Sequence, residues 1–151
     1  MKLSDLHIAS SYNSAEINLD PETGFLEFKG KSIPENATQV FQPVVNWLME
    51  YIKDPADETN LHLNLIYFNT ASSIWIARII KVLSNIDDRE KLLIIHLYFH
   101  IEEFEEMEEE DLKEAISPAT DVVQDAKVSI GMKIYGTDDN GMVIKERLIL
   151  I

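Results

Sequence analysis

The stretch from residue 61 to residue 99 constrains the fold more than any other part of the 151-residue chain. Residues 61–68 (LHLNLIYF) alternate, which predicts a strand. A helix is predicted at once afterwards, over 71–86. It carries Ile74, Trp75, Ile76, Ile79, Ile80, Val82, Leu83 and Ile86, is apolar over much of its circumference, and should be largely buried. Residues 91–99 (KLLIIHLYF) form a near-continuous apolar run, the pattern of a strand covered on both faces. Strand, helix and strand in that order imply parallel pairing through right-handed crossovers.

The flanking segments extend this core. Residues 16–20 place Ile17 and Leu19 on one face, and residues 25–29 answer with Leu26 and Phe28. Between them, Asp20-Pro21-Glu22-Thr23-Gly24 has Pro to preset the turn and Gly for a positive φ at its exit, so a β-hairpin is predicted. Leu6 to Ala9 is a candidate short strand ahead of it. Residues 37–53 read as a helix, with Val40, Phe41, Val44, Trp47, Leu48, Tyr51 and Ile52 on one stripe, Asn36 as its cap and Asp54-Pro55 as its end. Trp47 and Tyr51 are core residues on this reading. Pro43 lacks an N–H and clashes four residues back, so the expectation is a kink or a main helix starting near Phe41. A helix is expected around 108–116, and strands at 127–135 and 142–151, joined through Gly136–Gly141 into a terminal hairpin. The fold class is α/β, a mixed sheet with an N-terminal antiparallel hairpin and helices packed on it. One domain over 1–151 is expected, with the tail 117–151 supplying an extra hairpin.

Charge and composition exclude several functions. Lys and Arg number 13 against 27 Asp and Glu, a net charge of −14 that repels a phosphate backbone and argues against nucleic acid as a partner. Without cysteine there is no disulfide, thiolate metal site or cysteine nucleophile. The start MKLSDLHIASSY lacks a signal peptide's apolar core, and no apolar run approaches ~18 residues, so a cytoplasmic protein without membrane insertion is expected.

Catalytic motifs are missing as well. There is no glycine-rich phosphate loop and no nucleophile elbow, so no triad is supported. His96 and His100 share a strand face, but at ~3.3 Å per residue their rings stand about 13 Å apart, too far to share a metal. A histidine on such a strand is ordinarily a satisfied core residue. No metal, cofactor or enzymatic activity is expected.

What remains is Tyr67-Phe68-Asn69-Thr70-Ala71-Ser72-Ser73, where a strand ends and a helix begins. In a parallel-type sheet this is the carboxyl edge, where binding sites gather. In the simplest reading Asn69 or Thr70 caps the helix and the serines fill its first turn. In the functional reading, a hydroxyl at a helix start is a good phosphoacceptor, because free N–H groups and the dipole favour the product dianion. Phosphorylation there adds about −1.5 to −2 charge and blocks a contact without refolding.

The segments GKSIPENATQVFQPVVNWLMEYI and LIYFNTASS, with the hairpin INLDPETGFLEFKGKS before them, resemble the SiaC-like family of bacterial regulatory phosphoproteins over residues 7–100. Ser32–Asn36 and Tyr67–Thr70 are the more specific parts. The resemblance implies a STAS-like fold, as in anti-sigma-factor antagonists. It implies a Ser/Thr kinase and a PP2C-type phosphatase acting on Thr70, with Asn69, Ser72 and Ser73 forming the switch surface. It further implies that the unmodified protein binds and activates a diguanylate cyclase, promoting biofilm, and that phosphorylation releases it. Where the family motif has Ser after the Thr, this chain has Ala71. Two alternatives use the same sheet edge: a constitutive adaptor with Thr70 only a helix cap, and a small-molecule-binding domain.

Residues 101–111 (IEEFEEMEEED) hold eight carboxylates. They read as a solvated loop and helix start, with Phe104 and Met107 tethering the segment to the core, or as a docking surface for a basic partner. The spacing is not that of an EF-hand loop.

Overall fold

A computed structural model describes residues 3–68, 70–108, 110 and 125–150. Seven strands form one sheet in chain order: β1 (Leu6–Ile8), β2 (Glu16–Asp20), β3 (Phe25–Ser32), β4 (Glu58–Phe68), β5 (Leu92–His100), β6 (Ser129–Thr137) and β7 (Val143–Leu150). The four central strands, β3 to β6, run parallel, and the outer pairings β1–β2, β2–β3 and β6–β7 are antiparallel. Both predicted hairpins are present. In the first, Ile17 pairs with Phe28 and Leu19 with Leu26, all four buried.

Helix α1 (Ala37–Tyr51) connects β3 to β4, and α2 (Thr70–Ser84) connects β4 to β5. Because the crossovers share one hand and one direction, both helices lie on the same face of the sheet. There Phe28 of β3 stacks on Phe41 of α1 at 6.4 Å, and Phe41 stacks on Trp75 of α2 at 6.1 Å. Asn36 caps α1 by accepting a hydrogen bond from the Gln39 amide. Trp47 and Tyr51 are buried as expected, and the Tyr51 hydroxyl bonds the hydroxyl of buried Thr59 at 2.8 Å. Pro43 does not delay α1 to Phe41: the helix begins at Ala37 and includes it. Pro43 sits on the exposed side of the helix, where water can satisfy the carbonyl it leaves free.

Two burial expectations are refined. Helix α2 is not apolar all round, since Thr70, Ala71, Ile74, Arg78 and Lys81 are exposed. Strand β5 has no exposed residue, yet among the described residues helices cover only one of its faces. Leu93 and Ile95 enter the core, whereas His96 and Tyr98 stand on the other face, which carries no helix among the described residues. After β5 comes a short helix, α3 (Ile101–Glu106), capped by His100, whose ring accepts from the Glu102 amide. Phe104 is buried and Met107 packs on the core, so both tether the acidic run as predicted. The helix expected around 108–116 falls mostly outside the described residues.

This second face is organised by register. One row crosses all seven strands: His7, Asn18, Glu27, His62, His96, Lys133 and Leu148. His62 and His96 stack at 4.0 Å, flanked by Phe25 on His62 and by a Tyr98–Tyr135 stack at 4.6 Å. The His96 ring nitrogens meet Asn60 Oδ1 and the Tyr135 hydroxyl, each at 2.7 Å, and His62 Nδ1 meets the Tyr98 hydroxyl at 2.7 Å. Burial pushes the His96 pKa down to about 4, helped by the neighbouring His62 and Lys133, and burial also lowers His62. Neutral imidazoles therefore fit this face: one N–H donates to Asn60 Oδ1, and the other His96 nitrogen accepts from the Tyr135 hydroxyl. Beyond it, edge strand β7 leaves Val143, Ile144 and Leu148 exposed, interrupted by Lys145, Glu146 and Arg147.

Two predictions follow from this packing. Gly24 has φ +73°, and a Cβ there would stand 2.3 Å from the Glu58 carbonyl oxygen. Gly24→Ala should therefore lower stability by about 1–3 kcal/mol in denaturant unfolding. His96 has a folded pKa below its unfolded value, so its stabilisation is complete above pH ~6.5 and is lost as pH falls towards 4. The wild type should lose about 2–3 kcal/mol more than His96→Gln across that window, read from unfolding midpoints at successive pH values.

Candidate functional site

The carboxyl edge of the parallel strands holds the candidate site. Ser32, the last residue of β3, pairs in register with Phe68, the last residue of β4. One residue later α2 begins, with Thr70 as its first residue and exposed. A short strand-to-helix junction of this kind puts the first turn of α2 over the end of β3.

A buried pair of hydroxyls fixes that arrangement. The Ser72 hydroxyl donates to the Ser32 carbonyl at 2.8 Å, and the two hydroxyl oxygens are 2.9 Å apart. Since the Ser72 proton is committed to the carbonyl, Ser32 supplies the second bond by donating to Ser72 Oγ. Ser32 is 1 % and Ser72 0 % exposed, so these bonds lie away from water and join positions 40 residues apart.

The structure therefore separates the predicted site residues. Thr70 is open to solvent. Ser72 is not on the surface: it fastens the helix start to the sheet instead of facing a partner. Ser73 lies in the first turn of α2, and Asn69 lies outside the described residues. Ser32 was read only as part of the segment leading into α1; its partnership with Ser72 depends on β3 pairing parallel with β4, which neither segment discloses alone. The His62–His96 pair was also missed. Its signal was present in the polar alternation Asn60, His62, Asn64 on β4, opposite His96 on the next strand.

The first turn of α2 contains no acidic residue. An added anion on Thr70 would thus meet the positive end of the helix dipole without a first-turn carboxylate to repel it. Among the described residues, no three His, Cys, Asp or Glu side chains are placed to hold a metal, and no helix is long and apolar enough to cross a membrane.

A mixed seven-stranded sheet with α1 and α2 packed on one face, and an exposed threonine at the start of α2, defines the class as a mixed-sheet α/β protein. Residues 8–123 match the sequence profile of the SiaC family of regulatory phosphoproteins, and the chain belongs to that family. An uncharacterized protein of Pseudomonas aeruginosa (strain UCBPP-PA14) is 36% identical over 70 residues. That match spans 46% of this chain and 56% of the relative, little more than half its length. Among solved structures, apo-SiaC from Pseudomonas aeruginosa has a TM-score of 0.62 at 23% identity, over 85% of this chain and 98% of that one. A chain from the crystal structure of the diguanylate cyclase SiaD in complex with its activator SiaC, also from Pseudomonas aeruginosa, has a TM-score of 0.66 at 22% identity, over 87% and 100%. These likenesses share the mixed α/β fold.

The Ser32–Ser72 pair yields a direct test. Ser72→Ala removes one donor and leaves the buried Ser32 hydroxyl short of a partner, which should cost about 1–3 kcal/mol. Denaturant unfolding of the variant measures that loss.

Proposed function

We propose that the chain is a non-enzymatic partner switch in the cytoplasm, folded as one domain over residues 1–151 and controlled by phosphorylation of Thr70. The unmodified form binds its target, a diguanylate cyclase by analogy with the SiaD–SiaC complex, in a circuit governing biofilm formation. A Ser/Thr kinase adds the phosphate and a PP2C-type phosphatase removes it.

The observation that carries this reading is the exposure of Thr70 at the start of a 15-residue helix, in a member of a regulatory phosphoprotein family. Exposure matters because a buried cap hydroxyl would need local opening before a kinase could reach it. Ser72 supports the reading from below. By holding the first turn against β3, it keeps Thr70 at a fixed place on the surface. A phosphoryl group then changes the charge of that place without changing the fold.

Phosphopeptide mapping of the protein from its own host tests the proposal, in conditions that favour and disfavour surface attachment. Phosphate should appear on Thr70 in a condition-dependent way. In binding assays with the cyclase, Thr70→Ala should bind like the unmodified protein, and Thr70→Glu should bind about tenfold more weakly or worse. Phosphate absent in every condition, or present only on other residues, would return Thr70 to the role of a helix-start residue in a constitutive adaptor.

A further inference from the structure

Helix α2 turns one stripe to solvent: Thr70, Ile74, Arg78 and Lys81, spaced so that each lies about one turn beyond the last. Two features set this stripe apart from the rest of the molecule. The chain carries a net charge of −14, yet the 15 residues of α2 include no Asp or Glu. Ile74, a large apolar side chain, is 51 % exposed between the threonine and the two cations. The Arg78 guanidinium lies 4.7 Å over the Trp75 ring, which holds its charge in place on the helix surface.

The surroundings sharpen the contrast. Neighbouring α1 exposes uncharged Gln39, Gln42 and Asn46 on its outward side. Among the described residues, acids lie off α2: Glu16 and Glu27 on the opposite face of the sheet, Glu35 just before α1, Glu50 in the last turn of α1, Glu102, Glu103, Glu105 and Glu106 on α3, and Asp54 and Asp87 in the loops beyond the ends of α1 and α2. Helix α2 thus presents its cations without a carboxylate of its own on the surface that carries Thr70.

We propose that this stripe docks an acidic amphipathic helix of the partner, which seats an apolar side chain against Ile74 and sets carboxylates opposite Arg78 and Lys81. The inference rests on the reading of Thr70 as the switched residue and adds the chemistry of what binds there. While Thr70 is unmodified, the stripe runs from neutral to apolar to cationic, which complements such a helix. A phosphoryl group on Thr70 places about −1.5 to −2 charge one turn from Ile74, where the partner's carboxylates would meet it. The switch therefore works against an acidic partner in particular, since a basic one would be drawn to the phosphate.

Two stapled helical peptides with the same leucine stripe, one flanked by glutamates and the other by lysines, provide the test. Each is titrated into the isotopically labelled full chain, and backbone amide shifts are followed by NMR. The glutamate peptide should shift the amides of α2, and its binding should weaken with added salt. Arg78→Glu combined with Lys81→Glu should weaken it about tenfold, and Ile74→Ala should weaken it as well. All three positions are exposed, and the amide spectrum of each variant checks its fold. No α2 shifts with the glutamate peptide, or binding unaltered by the double charge reversal, would overturn the docking surface. Thr70→Glu is run alongside. If it binds normally while the charge reversal fails to bind, docking stands and the phosphorylation reading falls. If it blocks binding while the charge reversal does not, the switch stands and this docking surface falls.

Discussion

A right-twisted strand followed by a helix packs back onto its sheet in one hand only. Here the parallel strands β3 to β6 follow one another in a single direction across the sheet, so the β3–β4 and β4–β5 crossovers add α1 and α2 to the same face. Phe28, Phe41 and Trp75 form the bridge between sheet and helices. Leu48, Leu61, Ile79, Leu83 and Leu93 complete the core there, each wholly buried and each contributing about 1.5–3 kcal/mol through the area it removes from water. Everything else in the molecule answers to that one-sided covering.

The uncovered face must tolerate water without becoming a second apolar surface. It does so with side chains that are part aromatic and part polar. Phe25, His62, His96, Tyr98 and Tyr135 cover the backbone with their rings while their polar atoms bond one another or Asn60. Burial raises the pKa of Tyr98 to about 12, as it lowers that of His96, so this layer is neutral at ordinary pH. The covered face ends differently. At its carboxyl edge the Ser32 and Ser72 hydroxyls hold α2 to β3, and Thr70 stands exposed in the same helix turn as Ser72.

Much of this was legible in the sequence because it is local. The alternation of Ile17, Leu19, Leu26 and Phe28 around a Pro–Gly turn needs no partner to be read, and neither does the stripe from Phe41 to Tyr51 or the junction that presents Thr70. What escaped depends on register between distant strands. His62 and His96 look like isolated histidines until β4 and β5 are set side by side, and Ser32 looks like a loop residue until β3 and β4 end together. The apolar run of β5 shows a related limit. Composition reports how much of a strand is buried, but not whether helices or neighbouring side chains do the burying. Pro43 does not delay the start of α1 to Phe41, because its cost depends on which side of the helix it faces, and the exposed side is the cheaper one.

Strand order identical to chain order has a kinetic meaning. Each strand pairs with the strands before and after it in sequence, and even the β5–β6 pairing joins residues only 37 positions apart, as in Leu92 and Ser129. No strand must wait for a distant terminus to arrive and be inserted between two others. Loop closure therefore has a bounded entropic cost at each step, larger for the parallel pairings, which each close over a whole crossover, than for the two hairpins. Such a chain can grow its sheet from one edge to the other, in the order in which a ribosome releases it.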